Sequence, residues 1–126
     1  MDIPAKPGIP DYEFRLVFGC TKIDYGPEKE EINRKNHHYS LESGVHLLER
    51  LLLPLGNQPP HVITDSFKEK GEVRHKHMSV DDSGNVVVMV TTMRPEETVR
   101  VISFRRAHQK EREKFRELTG YVEPKL

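Results

Sequence analysis

The residues best suited to chemistry are three arginines, two histidines and a basic helical face. Arg74 stands near the head of one strand-like run, and Arg105 and Arg106 close another. Their planar guanidinium forks match paired phosphate oxygens, and they would converge on one group if the two strands were near neighbours. Arg112 and Arg116 lie one turn apart on a helical run that also carries Lys110 and Lys114. Such a row can extend a basic surface, although Glu113 and Glu117 make a solvated, charge-balanced face the commoner reading of the pattern. His75 and His77 are two apart, so on a strand they share a face. A pair so spaced holds a metal when a third ligand joins it, or supplies an acid or base near neutral pH. No third ligand has convincing spacing, so no metal and no cofactor are expected, and ordinary surface histidines are the blander account.

These groups must be positioned by a sheet whose centre is the stretch Asn85 to Ala107, NVVVMVTTMRPEETVRVISFRRA. Val86 to Met93 is an uncharged, β-branched run that reads as a strand buried on both faces. After a polar link containing Pro95, Val99 to Arg106 forms the second arm of an antiparallel hairpin. Strict alternation puts Val99, Val101, Ser103 and Arg105 on one face of that arm and Arg100, Ile102, Phe104 and Arg106 on the other. Upstream, Tyr12 to Phe18 and Thr21 to Tyr25 read as strands. Pro27 opens a helix that runs to about His37. Ser40 caps a second helix, whose Leu41, Val45, Leu48 and Leu52 keep helical spacing until Pro54. His61 to Asp65 and Gly71 to Val80 read as strands, Asp81 to Asn85 as a turn, and His108 to about Thr119 as a helix with Glu111 placed to cap it and Gly120 to stop it. The fold class is therefore α+β: a small antiparallel sheet of three or four strands, an N-terminal helix pair packed on it and a C-terminal helix.

With 126 residues, the chain is expected to form one domain. Net charge is zero and the isoelectric point is near 7.1, which excludes the overall basic excess of a non-specific nucleic-acid binder. Any nucleic-acid site must be local, and Val99 to Leu126 is the locally basic quarter. The single cysteine, Cys20, excludes an internal disulfide. The N-terminus shows neither an apolar signal core nor a cleavage site, so a cytoplasmic location is expected. No apolar run reaches membrane-spanning length.

Four segments, in order, resemble the BrnT family of type II toxins. IDYGPEKEEINRKNHHYSLE is similar to the family's opening F-E-W-D…K…N-x-x-K-H-G-V-S-F-E, and Glu72-Val73-Arg74 to its E-x-R strand start. Gly84 to Val90 is similar to G-R-L-L-V-V-V, and VRVISFRRAHQKEREKF to I-R-I-I-S-A-R-R-A-T-x-x-E-R-x-x-Y, the most specific of the four. The resemblance spans Lys22 to Thr119, leaving residues 1–21 as an arm with an extra strand and 120–126 as a tail. It implies a RelE-like fold and RNA cleavage, with Arg74, Arg105 and Arg106 in phosphate and transition-state roles; a histidine, His75 or His77 by their spacing, or water would handle protons. Lys76, Arg100, Arg112 and Arg116 would then extend the RNA contact. It also implies neutralisation by a BrnA-like ribbon-helix-helix antitoxin, through which alone the protein would meet DNA.

The chain departs from the family where Asn36, His37 and His38 replace Lys-His-Gly. A basic side chain is lost, and His38 must take the positive φ that glycine usually fills. Two functions therefore stand: a metal-independent endoribonuclease toxin, or a catalytically silent module of the same fold that acts through a protein partner.

Overall fold

Strand β6 (Val86–Arg94) is the middle of a five-stranded sheet because its apolar residues do not alternate with polar ones, and only a strand covered on both sides can use them all. The structure, a computed structural model, describes residues 2–3, 14–15, 22–52, 59–94 and 98–124. In chain order the elements are β1 (Asp2–Ile3), β2 (Phe14–Arg15), β3 (Lys22–Tyr25), α1 (Pro27–His37), α2 (Leu41–Leu52), β4 (Val62–Glu69), β5 (Glu72–Val80), β6, β7 (Thr98–Arg106) and α3 (Gln109–Thr119). Strands β1 and β2 pair with each other, apart from the main sheet. Of the expected strand Tyr12 to Phe18, only Phe14 and Arg15 fall within the described residues, and the link Pro95 to Glu97 lies outside them.

The main sheet has the order β3-β7-β6-β5-β4. Four of its strands form the expected antiparallel meander. The fifth, β3, runs parallel to β7, with Asp24 beside Arg100, so the sheet is mixed and not wholly antiparallel. A parallel pair needs a long connection, and here α1, α2 and three strands supply it.

Each face of the sheet has its own core. Leu41, Leu47 and Leu48 of α2 pack on Val87 and Met89 of β6 and on Val99, Val101 and Phe104 of β7. On the other face, Phe115 of α3 packs with Met78, Val80, Val86, Val88 and Ala107. Alternate residues of one apolar run thus serve two cores.

Strand β7 departs from strict alternation. Ser103 lies opposite Val90 and Val101 opposite Thr91, leaving Ile102 as the extra residue of a β-bulge. One inserted residue exchanges the faces of everything beyond it. Phe104 consequently joins Val99 and Val101 against α2, while Ser103 and Arg105 join Arg100 on the opposite face. Asn33 of α1 fastens the strand just past the bulge. Its buried amide donates to the carbonyls of Tyr39 and Phe104 and accepts the N–H of Phe104.

Candidate active site

The face away from α2 is covered by α3 at one end and open at the other. Across the open end, Arg74 of β5, Thr92 of β6, Arg100 of β7 and Asp24 of β3 stand in one cross-strand row. Arg74 and Arg100 of this row border a cavity of about 250 Å³ whose other walls include Lys29 at the start of α1, Lys70 of the β4–β5 turn, Glu72 and Arg94. Helix α1 begins beside it at Gly26, with no side chain capping its first N–H groups.

The three arginines of this cleft are held by carboxylates. Arg74 pairs with Glu69 at 2.9 Å and, more loosely, with Glu72 at 3.6 Å. The other oxygen of Glu72 lies 3.2 Å from Arg94, and Arg100 forms a two-pronged pair with Asp24 at 3.0 and 3.2 Å. The Arg74 Nε is buried and has no hydrogen-bond partner among the described residues. An unmet buried donor favours an acceptor that arrives from outside.

A second cluster lies further along the same face. Glu111 of α3 takes both prongs of Arg105, at 2.8 and 2.9 Å, and Lys76 at 2.8 Å, and it accepts the backbone N–H of His108. The Arg105 fork, followed by Lys76 and the His108 N–H, holds this carboxyl far below its usual range. The cluster ties α3 to the sheet.

The remaining arginines do not converge on the cleft. Arg106 sits opposite Val87, on the α2 face, and pairs with Glu123. Arg112 donates to the carbonyl of Ala107 and also reaches Glu123, and Arg116 is exposed on α3. The expected triad is thus divided: Arg74 and Arg105 share a face, and Arg106 occupies the other.

His75 and His77 are also on the other face, at 1% and 0% exposure. They are neither surface histidines nor neighbours of the cleft. The His77 ring bridges His61 and Thr91 at 2.8 and 2.7 Å, and His75 meets the Ser66 hydroxyl at 2.8 Å. Burial holds His77 well below the ordinary histidine range and brings His61 down to about 4. A strand's alternation sets Arg74 and Lys76 against His75 and His77, so both sets cannot serve one site. Among the described residues no three histidine, cysteine or acidic side chains gather as a metal would require. The sequence reading missed Lys29, Lys70 and Arg94. Their only signal was a positive charge in a turn or at an element end.

The class of protein is thus a small α+β domain with a guanidinium-lined cleft on the open end of its sheet. The chain belongs to the BrnT_toxin family, described as the ribonuclease toxin, BrnT, of a type II toxin-antitoxin system, whose model matches residues 25–111. Among solved structures it is similar to the ribonuclease toxin BrnT of Brucella abortus, at 19% identity and a TM-score of 0.48 over 71% of this chain and 99% of that one. No curated protein sequence matches it. No helix of the described residues is long and apolar enough to cross a membrane.

Proposed function

We propose that the protein is a metal-independent endoribonuclease toxin with a RelE-like fold, acting in the cytoplasm and neutralised by a BrnA-like ribbon-helix-helix antitoxin. The observation that carries this reading is the convergence of Arg74, Arg94 and Arg100 on one cavity. Cleavage through the 2′-hydroxyl builds charge on a five-coordinate phosphate, and fixed guanidinium donors stabilise that charge without a metal. Arg74 is the central group, because it lines the cavity and its buried Nε has no hydrogen-bond partner among the described residues. Lys76, Arg105, Arg112 and Arg116 continue the cationic surface toward α3 and steer the RNA backbone. DNA is met only through the antitoxin.

A second reading, a silent binding module, is favoured by one feature: Arg74, Arg94 and Arg100 already have carboxylate partners. Incubating purified protein with RNA in excess chelator separates the two. Cleavage that persists, and is lost in Arg74→Ala, supports the enzyme. Intact RNA under all conditions supports the module, and cleavage restored only by added zinc or manganese overturns metal independence.

A further inference from the structure

We infer that Glu72 is the general base of RNA cleavage, an inference that rests on the ribonuclease reading above. The reaction needs a group to take the 2′-hydroxyl proton. Histidine is the usual candidate, but no histidine lines the cleft, and His75 and His77 are sealed on the far face of the sheet. The acceptor that stays unprotonated at neutral pH on this face is a carboxylate.

Among the described residues four carboxylates border or approach the cleft, and three are otherwise placed. Asp24 is committed to Arg100 through both oxygens. Glu69 takes the closest bond of Arg74 and is not part of the cavity wall. Glu28 is exposed on the first turn of α1, folded against Gly26. Glu72 opens β5 on the same face as Arg74, is a third exposed, and spans the gap between Arg74 and Arg94 at 3.6 and 3.2 Å. Both distances exceed the 2.7–2.9 Å typical of strong charge-assisted bonds, which leaves lone pairs of this carboxylate available. A phosphate group seated between the two guanidiniums takes their donors and turns Glu72 to its edge, where the adjoining ribose carries its 2′-hydroxyl.

The step balances without another reagent. Glu72 takes the 2′-hydroxyl proton as the 2′-oxygen bonds to phosphorus and the bond from phosphorus to the 5′-oxygen breaks. The departing 5′-oxygen takes a proton from water, and the hydroxide left behind takes the proton from Glu72. The products are a 2′,3′-cyclic phosphate and a 5′-hydroxyl end.

The test compares single-turnover cleavage of an RNA oligonucleotide by the wild type, Glu72→Gln and Glu72→Asp across pH, alongside binding of a fully 2′-O-methylated oligonucleotide. Glu72→Gln is expected to cleave about a hundredfold more slowly or worse. It should also lose the acid-side fall in rate shown by the wild type, and bind the methylated strand at least as tightly. Glu72→Asp, which keeps the carboxylate, should be slower than the wild type but retain the acid-side fall, and it serves also if the glutamine variant does not fold. Glutamine-variant cleavage within threefold of the wild type overturns the inference, as does slow cleavage with an unchanged pH profile, which would make Glu72 a positioning residue for the arginines. A wild type that leaves RNA intact overturns the ribonuclease reading, and the base assignment with it.

Discussion

Arg74 lines the cleft and carries a buried Nε with no hydrogen-bond partner among the described residues, so on the ribonuclease reading its removal should be the most damaging single change to activity. One lost transition-state contact typically costs about 3 kcal/mol, roughly a hundredfold in rate or more. Arg74→Ala should lose at least that in RNA cleavage while its thermal midpoint stays close to the wild type, since among the described residues its ion-pair partners are the partly exposed Glu69 and Glu72. Arg106→Ala should cost far less in the same assay, because Arg106 points to the other side of the sheet toward Glu123. The residue types of this site were legible in the sequence; their grouping was not. Guanidinium chemistry singled out Arg74, Arg105 and Arg106, but the extra residue at Ile102 sends Arg105 and Arg106 to faces opposite those expected from alternation. A bulge leaves little mark on composition. The histidine pair failed for a related reason, since a shared face says nothing of which face is covered.

Element ends were the most legible part of the fold, because each is set by a local rule. Pro27 starts α1, Gly120 closes α3 at φ 78°, and Glu111 caps α3 from within. His38 takes φ 58° just past α1, donating its N–H to the Arg34 carbonyl. His38→Gly should therefore leave stability unchanged or raise it by up to about 1 kcal/mol, because relief of strain opposes the added freedom of the unfolded chain. Urea titration of the two proteins checks this. Glu111 does more than cap. Its loss strands Arg105 and Lys76 without their shared partner, so Glu111→Ala should cost on the order of 2 kcal/mol in the same titration and loosen the packing of Phe115. The parallel β3 was read as a strand, but its partner was not, since nothing local in Lys22 to Tyr25 names a segment so far along the chain.

The molecule as a whole should lose stability in acid in two stages. Burial lowers His61 to about 4 and His77 well below 6.5, so as pH falls below 6.5 the unfolded chain takes up protons that the folded one refuses. Each histidine then costs up to about 1.4 kcal/mol per pH unit until its folded form titrates. Glu111, held down chiefly by Arg105, stabilises the fold above its ordinary value of 4.5, and that contribution fades below it. Thermal midpoints should fall from pH 6.5 downward, and His61→Gln should flatten the first stage. Val88→Asp should abolish folding by circular dichroism, since Val88 is 1% exposed and an unpaired charge there costs several kcal/mol, comparable to the whole stability. The parallel pairing of β3 with β7 reaches further than stability. Asp24 and Arg100 are 76 positions apart, and the cleft also takes Lys29 from the early part of the chain, so a wall of the site is complete only after β7 has been synthesised. Pairings of such long range form late, whereas local hairpins and helices form first. On the ribonuclease reading, the cleft of a growing chain is therefore incomplete until β3 and β7 have paired.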